Sequence, residues 1–363
     1  MKNYYSYQFF ACLFFFIGFQ TNAQINTPRA SQQATVSQRV GISDVSITYA
    51  RPSVNGREIW GNVVPYGMNN LGFGTSTAAP WRAGANENTT ITFTHDAKVE
   101  GKPIKAGTYG LHFEVKPDNT ATLILSKDAN AWGSFFYEPN KDALRADIST
   151  IEVPHQEQLT FEFNDVKPNS ATAMLTWEKK GFPFTVSFDV SGIVLNEFRE
   201  SSKGQAGFNR QNWEQAANYA LNNGGELDEA LGWVNGAISG NFYSQKTVNN
   251  LAIKAQILQK QGNADAFAKT MDEASKIANA NQLNFLGYQM LGVKDYDRAL
   301  TYFNKAAEMD PDNPNVYDSL GEAYKTIGKN KEAIKYFKKS LSMNPPPNVK
   351  ANSEKHLKEL GAM

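Results

Sequence analysis

The sequence predicts an all-β, antiparallel sandwich domain followed by an all-α solenoid built from helical repeats. Three observations carry this. Apolar residues alternate with period two from Thr35 to about Ser191. Beyond Val194 the period becomes helical. Near the C-terminus, Leu286, Gly287, Met290, Ala299, Phe303, Ala306 and Pro311 return as Leu320, Gly321, Tyr324, Ala333, Phe337, Ser340 and Pro345, each pair 34 residues apart.

Among the strands, Val45, Ile47 and Tyr49 form one alternating set, Leu159, Phe161 and Phe163 a second, and Phe182, Phe184, Val186, Phe188 and Val190 a third. Such runs place one face on a core and the other in water, as antiparallel strands do. Turn formers divide them: Pro52 to Gly56, Gly101-Lys102-Pro103, Pro117-Asp118-Asn119, Pro168-Asn169 and Gly181. Gly101-Lys102-Pro103 reads as a tight connection, with a long strand following through Val115. Many short strands with regular turns favour a sandwich or partly open barrel.

Ser201, Ser202, Gly204 and Gly207 mark the expected hinge between the two parts. Beyond it, Trp213, Ala216, Ala217 and Ala220 share one helical face, and Ala230, Val234 and Ala237 another. The small residues Ala230, Ala266, Ala299 and Ala333 lie 36, 33 and 34 apart, which predicts four helical hairpins whose helices approach closely. Asn313-Pro314 supplies an N-cap and a first-turn proline. Pro345-Pro346-Pro347 ends the last repeat, and Ser353 to Leu360 reads as a capping helix. The expected organisation is a cleaved leader at 1–23, a linker at 24–34, the β-sandwich at 35–191, a linker at 192–207, the repeats at 208–345 and the cap at 346–363.

At 363 residues the chain is long enough for two cores. It carries 36 basic and 36 acidic residues, so no long-range field draws it to nucleic acid or anionic lipid. Lys2, an apolar run from Phe9 to Phe19 and Thr21-Asn22-Ala23 before Gln24 have the form of an export signal cut after Ala23. The expected destination is the periplasm or the cell exterior. The single cysteine, Cys12, lies in that leader, so the mature chain would hold no disulfide or cysteine metal site. No later run is long enough to span a membrane.

The repeat residues above resemble the tetratricopeptide family over about 208–345, which implies a concave surface that binds protein or peptide. The first two hairpins lack its Gly and closing proline, leaving their pairing open. A second resemblance covers most of residues 30–190. Ile47-Thr48-Tyr49-Ala50-Arg51-Pro52-Ser53, Gly56-Arg57-Glu58-Ile59-Trp60-Gly61, Val64-Pro65-Tyr66-Gly67, Trp81-Arg82-Ala83-Gly84-Ala85-Asn86-Glu87, Ala106-Gly107-Thr108-Tyr109 and Trp132-Gly133 look like the family catalogued as domain of unknown function 2911. That resemblance implies an exported strand-rich domain, often near helical repeats, and assigns no chemistry. The stretch from Asn69 to Pro80 departs from shorter relatives and could cover a pocket or decorate an edge.

The candidate ligand site gathers Arg51, Arg57, Trp60, Tyr66, Trp81, Arg82, Asn86 and Glu87, with Trp132 and Tyr137 nearby. Guanidinium forks recognise carboxylate or phosphate, and flat rings stack on sugars or bases, so this set suits a small polar ligand or a carbohydrate. The structural alternative has Trp60 and Trp81 plugging the core while Arg82 pairs with Glu87. A hydrolase would need paired acids, of which Glu58 and Glu87 are the best placed. His95, His112, His155 and His356 lack metal-ligand spacing, and Gly133-Ser134 lacks a nucleophile elbow. No phosphate loop or cofactor motif is present. Lys325, Lys329, Lys331, Lys335, Lys338 and Lys339 make the last hairpin basic, as an acidic-peptide groove or a solvated outer face. Phe285, Tyr288, Tyr317 and Tyr324 fit repeat packing.

Overall fold

A computed structural model describes residues 27–363; the expected leader, its cut after Ala23 and Cys12 lie outside the described residues. The chain divides into two compact units. One comprises the described residues up to Arg39 with Asp44–Ser187, the other Val40–Ser43 with Phe188–Met363.

The first unit is built on β1 (Gln33–Val40), β2 (Ser43–Ala50), β3 (Thr90–Phe93), β4 (Ala97–Val99), β5 (Lys102–Ile104), β6 (Gly107–Val115), β7 (Thr120–Ser126), β8 (Asp142–Ser149), β9 (Ile151–Lys167) and β10 (Ser170–Phe188). They form a six-stranded sheet in the order β1-β2-β3-β6-β7-β8 and a four-stranded sheet in the order β5-β4-β10-β9, with antiparallel pairing along both. Inward residues of the two sheets meet face to face. Tyr49 of β2 stands edge-on to Phe161 of β9 at 4.9 Å, and Phe113 of β6 meets Phe182 and Phe184 of β10 at 5.0 and 6.4 Å. This is the sandwich that the alternation predicts.

Strand β10 shows what the core demands of the backbone. Ala171, Ala173, Leu175 and Trp177 point inward at odd positions, then Phe182, Phe184 and Val186 at even ones. A side-chain period of two cannot change parity without an irregularity. The register of β10 against β9 shifts between Thr176 and Glu178 and again between Glu178 and Lys180, with Glu178 at φ 53°. Each large apolar side chain kept inside contributes about 1.5–3 kcal/mol, against about 1 kcal/mol for each ladder bond left unmade, so burial wins. Two sequence expectations change here. Val190, read as the last inward strand residue, begins a helix, because Asp189 caps it by accepting a bond from the Gly192 N–H at 3.1 Å. The tight connection at 101–103 falls one residue earlier, on Glu100 and Gly101, both in the left-handed region (φ 49° and 74°), as a two-residue hairpin between β4 and β5 requires.

The second unit contains α1 (Val190–Ser201), α2 (Arg210–Asn223), α3 (Leu227–Ile238), α4 (Val248–Lys260), α5 (Ala264–Ile277), α6 (Ala280–Gly292), α7 (Tyr296–Met309), α8 (Pro314–Thr326), α9 (Asn330–Ser342) and α10 (Pro347–Glu359). Helices α2/α3, α4/α5, α6/α7 and α8/α9 pair as hairpins, and α10 packs Leu357 against Ala333 and Phe337 of α9. Residues 192–207, expected as a linker, are mostly helix. Leu195 and Phe198 of α1 enter the core of the first hairpin, Phe198 standing edge-on to Trp213 at 5.2 Å and Trp233 at 5.0 Å. Arg199 holds Glu229 of α3 through two bonds of 2.8 and 2.7 Å. The serines and glycines that suggested a hinge lie mainly at the end of α1 and beyond it; the apolar pair upstream decides the structure.

Three of the second helices bury the same four-residue pattern, Ala230, Trp233, Val234 and Ala237 in α3, Phe267, Thr270, Met271 and Ala274 in α5, Ala299, Tyr302, Phe303 and Ala306 in α7, and α9 buries Ala333, Phe337 and Ser340 of it. In α5 the position aligned with Ala299 is thus Phe267; Ala266, expected there, is only partly buried. The recurring glycines have a direct physical cause. A Cβ on Gly287 would lie 2.7 Å from the Phe303 ring, and one on Gly321 2.6 Å from the Phe337 ring. Gly321→Ala gains about 1 kcal/mol of helix propensity but overpacks the hairpin at about 1–3 kcal/mol. Urea denaturation should therefore show a net loss of up to about 2 kcal/mol, while Gly292→Ala, which meets open space, leaves stability unchanged or higher.

Candidate functional site

The 51–89 segment between β2 and β3 bridges to β9 through Ser53 and to β6 through Trp81, and forms much of a cavity of about 600 Å³. Trp81 is fixed in its wall by two backbone bonds with Phe113, both 2.9 Å. Its indole stacks on Trp177 of β10 (6.0 Å, 15°), and Trp60 stands edge-on to both at 84° and 82°. Trp81 and Trp177 line the cavity with Val63, Pro65, Leu71 and Pro80, giving an apolar wall. The polar part of the lining carries Arg82, Asn86, Ser134 and Arg57. No acidic residue lines it among the described residues.

Arg82 is half-buried, and desolvation lowers its pKa from the ordinary arginine value. Its Nη1 donates to the Asn86 carbonyl at 2.6 Å, and its guanidinium lies over the Phe135 ring at 4.8 Å. The turn that aims it is strained: Ala83 and Asn86 sit at φ 53° and 62°, a region that costs a non-glycine residue of order 1 kcal/mol. Gly133 makes room for it. At φ 61°, a Cβ there would lie 2.2 Å from the Arg82 Cζ. Behind Ser134, the His112 Nδ1 is 3.0 Å from the Ser134 Oγ, and both residues are buried. Burial and the neighbouring Arg82 charge push the His112 imidazole down to about 3. A serine nucleophile needs a base that takes up its proton, and both burial and the Arg82 charge oppose a proton on this imidazole.

Of the ten residues expected from sequence, Arg57, Trp81, Arg82 and Asn86 line the cavity. The other six do not, and most have other tasks. Arg51 donates to the Leu159 carbonyl (3.0 Å) and Thr160 Oγ1 (2.8 Å), tying the segment to β9. Trp60 supports the wall from behind, and the Tyr66 ring packs over Gly61. Glu87 pairs with Arg29, not with Arg82, and Arg29 also covers the exposed Trp132 at 5.5 Å. The Tyr137 hydroxyl donates to Asp142 (2.8 Å) and accepts from Arg145 (3.0 Å). Glu58 is exposed and, like Glu87, lies outside the lining, so the acid pair considered for hydrolysis does not face the cavity. Sequence reasoning missed Trp177 and set aside Ser134 and His112, weighing them only for nucleophile and metal chemistry. Trp177 reads as one more inward residue of β10; the signal for Ser134 was the glycine before it. The 69–80 stretch covers the cavity rim: Asn69 and Ala79 bond to each other (2.9 and 2.8 Å), and Phe73 stands edge-on to Phe135 at 5.3 Å.

In the helical unit, the first helices of successive repeats are joined by side-chain bonds. Glu214 of α2 accepts from Asn250 of α4 (2.9 Å), Gln256 of α4 donates to Gln289 of α6 (2.8 Å), Tyr288 of α6 donates to Ser319 of α8 (3.0 Å), and Asn352 of α10 donates to Asp318 of α8 (2.8 Å). Beside this seam lies a hollow of about 450 Å³ lined by Gln215, Asn218, Asn249, Gln256 and Phe285 among others. Phe285, expected in repeat packing, is 44% exposed there. The basic hairpin is partly engaged: Lys325 bonds Glu359 and His356, and Lys339 lies 3.7 Å from the Tyr317 ring centroid. Among the described residues no cluster of His, Cys, Asp and Glu could hold a metal ion, and no helix is long and apolar enough to cross a membrane.

Residues 31–186 match the family model described as a protein of unknown function, DUF2911. A tetratricopeptide repeat model matches residues 290–351. The two resemblances read from the motifs therefore hold, and in that order. Over 67 residues the chain is 31% identical to Protein O-mannosyl-transferase TMTC3 of Homo sapiens, a match that spans 18% of this chain and only 7% of that protein. Similar solved structures include the MamA protein (18% identity, 42% of this chain and 82% of that one, TM-score 0.31). Others are MamA 41-end from Desulfovibrio magneticus RS-1 (16%, 43% and 86%, TM-score 0.31) and the APC/C hetero-tetramer Cut9-Hcn1 (14%, 48% and 34%, TM-score 0.32).

Two outcomes follow from the buried groups. Between pH 6.5 and about 3 the unfolded chain binds a proton at His112 that the folded chain does not, so stability falls with pH across that window by up to about 1.4 kcal/mol per unit. His112→Gln should flatten that slope in urea titrations at pH 7, 6, 5 and 4; an unchanged slope contradicts a buried neutral imidazole. Gly133→Ala should destabilise the strand unit by about 1–3 kcal/mol and move Arg82 off Phe135, read by denaturation and tryptophan fluorescence.

Proposed function

We propose that this chain is an exported binding and scaffolding protein of the cell envelope, acting in the periplasm or outside the cell. Its helical repeats hold a polypeptide against the face made by α2, α4 and α6, and its strand unit holds a small polar ligand. The observation that carries the proposal is the line of carboxamides on that face. Gln215, Asn218, Asn249 and Gln256 surround a hollow with the exposed Phe285 at its edge. Carboxamides both donate and accept, which suits the peptide groups of an extended chain, and an exposed ring offers an apolar anchor. The tetratricopeptide match covers residues 290–351, the later part of the helical array, and stacked repeats of that kind present a surface for protein or peptide. Export rests on the leader pattern before Gln24.

The test is capture of envelope proteins by the tagged chain, beside Phe285→Ala and Gln256→Ala. Because Phe285 is exposed, its loss leaves the core intact, and the captured partner should bind about tenfold more weakly. Equal capture by all three chains contradicts the assignment of the face. N-terminal sequencing of the chain recovered from its native host should begin at Gln24; an intact Met1 in the cytoplasmic fraction contradicts export.

A further inference from the structure

We infer that the cavity of the strand unit binds an organic carboxylate with a flat ring body, anchored by Arg82. This deepens the ligand-holding role proposed for that unit. Its first support is a charge without an answer. Neither Arg82 nor Arg57 has a carboxylate in ion-pair reach among the described residues, and no acid lines the cavity. A half-buried guanidinium is costly to leave unpaired, and evolution usually supplies an acid beside it. Here Glu87, five residues along the same turn, is turned away to Arg29.

The second support is the state of the donors. Arg57 spends Nε and Nη2 on the Val54 and Ser53 carbonyls (3.0 and 2.5 Å), which leaves it a rim charge held to the backbone. Arg82 spends one bond, from Nη1 to Asn86 O, and its ring-covered face rests on Phe135. Its other donors have no partner among the described residues. Ser134, buried and held by the neutral His112, brings a hydroxyl to the same cavity.

The third support is shape. The lining includes Trp81, backed by the buried Trp177 stacked near-parallel on it, with Pro65 and Pro80, and a space of about 600 Å³ accepts a ring with a short acidic arm. One open guanidinium edge balances one negative charge in a planar, two-point contact. That favours a carboxylate over a phosphate monoester, which carries nearly two charges and needs more donors.

Calorimetric titration of the full chain lacking its leader, with phenylacetate, 2-phenylethanol and phenyl phosphate, tests this. Phenylacetate should bind about ten- to a hundredfold more tightly than 2-phenylethanol, the range expected for a charge-assisted bond. Arg82→Gln should abolish that difference and Arg82→Lys restore part of it. Equal affinity for the acid and the alcohol, or an unchanged acid affinity in a folded Arg82→Gln chain, overturns the anchor. Phenyl phosphate binding tenfold tighter than phenylacetate overturns the single-charge assignment. If the variant fails to fold, the contrast between acid and alcohol in the native chain decides alone. Ring binding without a gain from the acid removes this inference but keeps a ligand cavity; binding of no probe removes both and leaves the helical face untouched.

Discussion

A guanidinium that no carboxylate among the described residues pairs with is the constraint around which the strand unit is arranged. To hold Arg82 there the chain accepts two non-glycine residues in the left-handed region, spends Gly133 on clearance and lays Phe135 beneath the charge. Burial and the Arg82 charge hold the His112 pKa down behind Ser134, so no second buried cation forms there. Each of these arrangements costs stability taken alone. Together they make sense as preparation for a negative group that arrives from outside.

The tryptophan wall depends on the same economy of space. Trp177 continues the inward series of Ala171, Ala173 and Leu175, and the register shifts around Glu178 let the same strand turn Phe182 and Phe184 inward further on to close the sandwich. Trp60 and Trp177 leave their indole N–H groups without a hydrogen-bond acceptor among the described residues, and the rings instead stand edge to face. Edge-to-face contact places the positive rim of one ring on the negative face of another, which recovers part of that cost.

Much of the fold was legible in the sequence because its cause was local. Alternation marked the strands, and Gly287 and Gly321 marked the hairpins because a ring 16 residues on occupies the space of the missing Cβ. The misreadings had local causes too. Small, flexible residues drew attention away from Leu195 and Phe198, so α1 passed for a linker, and Ala266 stood one place from the buried Phe267. The site was legible only in part. Trp81, Arg82 and Asn86 lie in one motif and stay together in space, whereas Ser134, Trp177 and His112 come from other strands and loops. Which acid would face which arginine was beyond composition: Arg29, far from Glu87 in sequence, takes it.

The central claim, that the strand unit is a receptor for an organic acid, is tested most directly by hydrogen exchange followed with mass spectrometry, with and without phenylacetate. Binding at Arg82 predicts slower exchange in the segments spanning 81–88 and 133–137 and in the central part of β10, with the helical repeats unchanged. Protection confined to the helices, or none at saturating acid, would contradict the account.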